Sequence, residues 1–298
     1  MAPWRHASLT DVSKRPVIRL RRKGKVKAMI IIGEKINGAI PSTAQAIKDR
    51  DADFIRDLAV RQAAAGADYI DVCAGTAPSE EYDALCWLLD VVEECTDKPI
   101  CLDSPDPHML VKVADKVKRP GILNSLSDEG EKCDVIIPYL AAHPEWSVMV
   151  LCSSDSGPSE TCERKMEVAH DIMAKLEAAG IAQERVFIDP VVLAVSAVGG
   201  AGSEFIAAVA QLKEAWPDAK VAAAVSNVSY GSPVRGLMNH IFLALNLQMG
   251  LDAGIVDPLN RDIIGAIYAT EALLNRDPYC RKYNKAYRKG LIGKPKGI

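Results

Sequence analysis

The stretch ICLDSPDPHMLVKVADKVKRPGILN, residues 100–124, holds one complete strand–helix–strand unit. Ile100 to Leu102 is a short β-type apolar run that stops at Asp103. Met109 to Val117 follows with helical spacing, and Ile122-Leu123 is a second apolar run that stops at Asn124. A strand buried on both faces reads as a continuous apolar run, so the polar residue at its C-terminal end faces a mouth shared with its neighbours.

The same unit recurs in both directions. Upstream, Met29 to Gly33 stops at Glu34 and Tyr69-Ile70 at Asp71. Downstream, Val148 to Cys152 stops at Ser153, Val186 to Ile188 at Asp189, Val221 to Ser226 at Asn227, and Ala253 to Val256 at Asp257. Helical periodicity fills the gaps over Phe54 to Ala65, Tyr82 to Glu94, Val135 to Ala142, Met166 to Ala179, Phe205 to Ala215, Gly236 to Met249 and Ile263 to Leu274. Strands alternating with helices imply parallel βαβ units, and eight of them close a single (β/α)8 TIM barrel more naturally than they make an open sheet. Chemistry in that fold is placed at the C-terminal mouth of the strands.

A chain of 298 residues, 49% hydrophobic, can bury one large core, and one domain is the expectation. The formal net charge of -3 calls for neither nucleic acid nor an anionic membrane surface, and no apolar stretch approaches the roughly 18 residues of a membrane-spanning helix. Eight cysteines lie scattered without a C-x-x-C pair and no apolar leader core suggests export, so they read as reduced thiols of a cytoplasmic protein.

Residues 1–28 stand apart, with nine Lys or Arg against one acid, Asp11. They read either as a basic arm or transit-like leader, or as an extension ahead of a natural start at Met29. The barrel is expected over 29–285 and a basic tail over 286–298. Gly199-Gly200-Ala201-Gly202 precedes a helix but follows a long loop, whereas a phosphate-binding glycine fingerprint needs a strand leading directly into it.

At the mouth, Asp103, Asn124 and Asp189 would converge from three strands. A carboxylate accepts two parallel N–H bonds, as an aminopyrimidinone ring offers them, and a carboxamide donates and accepts together. This set, poor in His, Cys and Lys, favours a flat amide-like heterocycle over a metal. Singly, each residue also has a local reading as a helix cap or an Asx-turn.

Five segments at these positions carry a family resemblance: Gly33-Glu34-Lys35-Ile36-Asn37-Gly38, Cys101-Leu102-Asp103-Ser104, Leu123-Asn124-Ser125, Phe187-Ile188-Asp189-Pro190 and Ser226-Asn227-Val228-Ser229. In this order they resemble the signatures of the pterin-binding methyltransferases. The match is closest to the methyltetrahydrofolate:corrinoid protein methyltransferases, which are related to the folate domain of cobalamin-dependent methionine synthase. The resemblance implies a homodimeric barrel that moves a methyl group between N5 of tetrahydrofolate and the cobalt of a corrinoid (cobalamin) carried by a partner protein, with no protein-bound metal. It implies that Asp103, Asn124 and Asp189 hold the pterin, with Glu34, Asn37, Asp71 and Ser226 completing the site. Asn227 would hydrogen-bond N5 and act by polarisation. Because reduced cobalt is itself the nucleophile, the protein supplies orientation and electrostatics.

Two positions depart from the pattern. Cys73 stands where an Asn is common, and Tyr230 where an amide side chain is common. Dihydropteroate synthase, the nearest alternative, needs cations near the ends of the seventh and eighth strands, where this chain has Asn227 and Asp257. Zinc-dependent transfer to homocysteine is disfavoured, since His6, His108, His143, His170 and His240 show no compact ligand spacing. A barrel that binds folate without turnover is the non-enzymatic alternative.

Overall fold

The computed structural model describes residues 28–293. All but the last residue of the expected N-terminal extension, and residues 294–298, lie outside the described residues.

The order is β1 (Ile30–Asn37), α1 (Pro41–Asp49), α2 (Ala52–Ala65), β2 (Tyr69–Cys73), α3 (Pro78–Cys95), β3 (Ile100–Asp103), α4 (Pro107–Ala114), β4 (Ile122–Asp128) and α5 (Lys132–Ala142). Then come β5 (Ser147–Ser154), β6 (Gly157–Pro158), α6 (Cys162–Ala178), β7 (Val186–Asp189), α7 (Ala201–Ala215), β8 (Lys220–Val221), α8 (Arg235–Met249), β9 (Ala253–Val256), α9 (Arg261–Leu273) and α10 (Arg281–Arg288). Strands pair in parallel in the order β8-β7-β5-β4-β3-β2-β1-β9, and β6 returns antiparallel on β5. The ring closes between its ends: the Asp252 amide donates to Val221 O and the Ile255 amide to Ala223 O, both at 2.9 Å, beside a parallel bridge from Ala224 to Ile255. Eight parallel strands closed in this way make the expected (β/α)8 barrel.

Alternation along each strand divides the core in two. Ile32, Cys101, Ile122, Met149, Phe187, Ala222 and Ala253 fill the barrel interior, while their neighbours, such as Val72, Leu102, Leu123 and Ile188, pack outward beneath the helices. Side chains two residues apart share a face. The layer above the apolar plug on β3, β4 and β7 is therefore Asp103, Asn124 and Asp189.

Several element bounds differ from the expectation. α4 begins at Pro107, not Met109, because Asp106 caps it, accepting from the His108 and Met109 amides. α1 and α10, short and mostly polar, are additional to the eight expected helices. The tail boundary at residue 285 falls inside α10; Ala286 and Ile292 beyond it are buried, and Arg261 donates to the carbonyls of Ile292 and Gly293. The run Val221 to Ser226 is not one strand: β8 ends at Val221, and Val225–Ser229 turns into a 3-10 helix. Ser226 and Asn227 thus stand on a tight turn above the barrel, which re-aims them across its mouth.

Candidate functional site

All eight residues expected at the site, Glu34, Asn37, Asp71, Asp103, Asn124, Asp189, Ser226 and Asn227, line one cavity of about 450 Å³ at the C-terminal mouth. Leu151, Val191, Val192 and Ile255 supply apolar wall, so a flat ring entering here meets apolar faces and a polar edge.

Glu34 owes its place to a bulge. Gly33 pairs with Ile70, but the next paired residue of β1 is Ile36, opposite Val72. The extra residue leaves the Lys35 amide without a ladder partner, and the buried Gln62 side chain accepts from it at 3.0 Å. A Cβ on Gly33 would stand 2.6 Å from that same Gln62 oxygen, and one on Gly38 would lie 1.9 Å from the Ala74 carbonyl. Close approach of backbone and side chain, not turn geometry, dictates both glycines.

β2, β3 and β7 bring three carboxylates together. Asp71 is buried and accepts from the Asn124 amide and the Cys101 thiol, leaving Oδ1 without a partner. Asp103 accepts from the Cys73 thiol. On β7, Asp189 accepts from the Val191 amide at 2.8 Å and from the Ala224 backbone. Asn37 accepts from the Ala39 amide at 2.8 Å in an Asx-turn. The local and the ligand-facing readings therefore coexist at Asp189 and Asn37: one oxygen shapes the loop of a residue that also lines the cavity. Asn227 is exposed at the rim.

Burial makes these acids reluctant to ionise. It pushes Asp103 and Asp189 up to about 6, and Glu34 up to about 7, where the charge of Asp257 adds to the effect. Asp71 is held well above the carboxylate range, first by burial and then by the neighbouring Asp103. Lys35, 3.5 Å from Asp257, and Arg235 partly offset the negative charge around Glu34. Among the described residues no three His, Cys, Asp or Glu side chains are grouped to hold a metal ion.

A family model for pterin binding enzymes matches residues 35–257. The chain belongs to the pterin-binding enzymes. A methylcorrinoid:tetrahydrofolate methyltransferase from Eubacterium limosum is 44% identical over 266 residues, covering 89% of this chain and 98% of that protein. Methionine synthase from Mycobacterium tuberculosis is 25% identical over 252 residues, 78% of this chain but 21% of that longer protein. The dihydropteroate synthase of Xanthomonas albilineans with 4-aminobenzoic acid shares the fold, with a TM-score of 0.63 at 16% identity over 83% of this chain and 93% of that one.

The two departures from the family pattern resolve differently. The Cys73 thiol is pushed up by burial and by the charges of Asp103 and Asp71, so it stays protonated and serves as a donor, not a nucleophile. Tyr230 lies outside the cavity lining: its carbonyl accepts from Ser196 at 2.6 Å and its ring is 71% exposed.

Two cations near the pocket of this pterin-binding enzyme escaped the sequence reading. Arg235 opens α8 and donates to Ser226 O at 2.8 Å and to Ser229 Oγ at 3.0 Å, tying down the turn that carries Asn227. Lys165, on α6, is buried behind Asp189. A lone cation on a helix reads as solvated face, and neither residue has a sequence signal beyond its position early in a helix.

Proposed function

We propose that this protein transfers a methyl group between a corrinoid carried by a partner protein and N5 of tetrahydrofolate, running from methylcorrinoid to folate as the name of its Eubacterium limosum relative states. The convergence of Asp103, Asn124, Asp189 and Asn227 on one apolar-walled cavity carries this reading.

The acceptors meet the pterin's amino and ring N–H groups, and Asn124, which already donates to Asp71, offers its carbonyl to the same edge. This pairing fixes the ring in plane and leaves N5 toward Asn227. In the forward direction the N5–CH3 bond forms, the cobalt–carbon bond breaks with its electron pair left on cobalt, and the N5 proton departs. A carboxamide at N5 favours the cationic nitrogen through which either direction passes, so Asn227 acts as a polarising group. Its exposure at the rim leaves the approach open for cobalt.

Two copies of the chain are proposed to associate through α8. Leu237, Ile241 and Leu245 recur every fourth residue on its outer face and are 60%, 53% and 45% exposed, with Val234 at 75% before them. Such an exposed apolar stripe suits a self-complementary two-fold contact. A cytoplasmic location is supported by eight cysteines that are all free, and no described helix is long and apolar enough to cross a membrane.

The test mixes purified protein with methylcob(III)alamin and tetrahydrofolate under anaerobic conditions, following cob(I)alamin by absorbance and methyltetrahydrofolate by chromatography. Stoichiometric appearance of both is expected. Folate binding without any transfer, in either direction and with free or protein-bound corrinoid, would favour the non-catalytic barrel.

A further inference from the structure

Lys165 is only 1% exposed, the one cationic side chain among the fully buried described residues. An ammonium has three donors. All three go to backbone carbonyls: Ser159 O in the turn before α6, Pro190 O at 2.6 Å and Val191 O at 3.2 Å in the loop after β7. Burying a cation on dipoles alone is costly, and a neutral donor could satisfy carbonyls without that cost, so the charge itself calls for a use.

The loop it grips carries the site. Val191 has φ 59, a left-handed conformation that β-branched residues avoid. That conformation lets one residue face two ways: the Val191 amide donates to Asp189 Oδ1 at 2.8 Å while its carbonyl accepts from Lys165. Lys165 therefore reaches Asp189 through a single residue. The groups facing this pair are few. Cys152 comes from β5, Cys162 from the start of α6, and Glu204 from α7, where its carboxylate accepts from the Cys162 amide at 2.6 Å. The only other groups on Asp189 are the backbone amides of Val191 and Ala224.

We propose that Lys165 is a positioning residue for folate binding: it clamps the turn before α6 to the loop after β7, aims the Asp189 carboxylate into the cavity and lends it the nearest positive charge. This rests on the folate reading of the pocket. Burial already pushes Asp189 up to about 6, with Lys165 opposing that rise, so without the ammonium the carboxylate would be protonated across more of the neutral range and would lose its capacity to accept a second N–H.

The experiment measures equilibrium affinity for tetrahydrofolate from pH 5.5 to 8.5 in the wild type, Lys165→Met, Asp189→Asn and the double variant. Lys165→Met is expected to bind at least tenfold more weakly at pH 7, with the midpoint of its pH dependence moved upward. In the Asp189→Asn background the same substitution should change affinity less than twofold, because there is no carboxylate left to position. An equal loss in both backgrounds with an unmoved midpoint, or no loss at all, overturns the proposal and leaves Lys165 a structural residue. If Lys165→Met does not fold, Lys165→Gln, which keeps donors for the carbonyls but no charge, is expected to fold and to shift the midpoint; an unshifted midpoint there overturns it equally. A wild type that binds no folate at any pH would refute the folate reading itself, whereas a binding wild type with an indifferent Lys165 refutes only this role.

Discussion

Truncating Asp103 or Asp189 removes an acceptor from a cavity that has few others in the same plane. Each Ala variant is expected to weaken tetrahydrofolate binding by about 1.5 to 3 kcal/mol, the range for charge-assisted hydrogen bonds. Calorimetry decides it, and unchanged affinity in both variants would take these residues out of the site. Asn227 belongs to a different class. It stands at the open rim, and its contact strengthens only as N5 becomes cationic, so Asn227→Ala should lose about a hundredfold in single-turnover methyl transfer while folate affinity changes far less. A rate within threefold of wild type at saturating folate would make Asn227 a structural residue of its 3-10 turn. Cys73 illustrates why residue type alone misleads: beside Asp103 and Asp71 a thiol stays protonated as a hydrogen-bond donor, taking over part of what an amide could do there.

At the scale of elements, the strands were legible because a fully enclosed strand leaves only one kind of sequence, an apolar run with a polar end. The runs Ile100 to Leu102 and Val186 to Ile188 begin with their strands, which each extend one residue further to take in the polar end, Asp103 and Asp189. What stayed hidden depends on contacts made far away in the chain. β8 ends after Val221 because Ala223 and Ala224 cross to β9, and nothing local distinguishes that from a longer strand. The β1 bulge is set by Gln62 on α2, and the tasks of Lys165 and Arg235 exist only once their loops fold back over them. The convergence of the eight expected residues on one cavity was legible for the opposite reason: a barrel turns every strand end to the same mouth, so topology converts sequence position into proximity. α8 offers an element-scale test. Leu237→Lys with Ile241→Lys places two charges in the apolar stripe, away from the cavity, and is expected to yield a monomer in sedimentation while folate affinity holds. A dimer that survives both substitutions must be joined elsewhere.

For the molecule as a whole, the cluster of reluctant acids sets how stability depends on pH. The folded pKa of Glu34, about 7, lies above its ordinary value of 4.5, so between these values the native state holds a proton that the unfolded chain has lost. This contribution to stability is full below pH 4.5, falls as pH rises through the window, and is gone above 7. Glu34→Gln keeps the neutral shape at every pH. It should therefore exceed wild type by on the order of 3 kcal/mol at pH 8 and by almost nothing near pH 4.5, read as a gain in melting temperature that grows with pH. A gain that does not change with pH would place its origin elsewhere. Asp103 and Asp189, at about 6, are partly protonated in neutral solution, yet only their ionised forms can take two N–H bonds from one edge of a ring. Loading the pocket must then expel hydrogen ions into the surrounding buffer. The heat of titration should differ between Tris and phosphate at pH 6.5 by an amount proportional to their enthalpies of ionisation, and this difference should fade by pH 8.5. A cell that acidifies would loosen the protein's hold on its folate, through groups that never touch the transferred methyl.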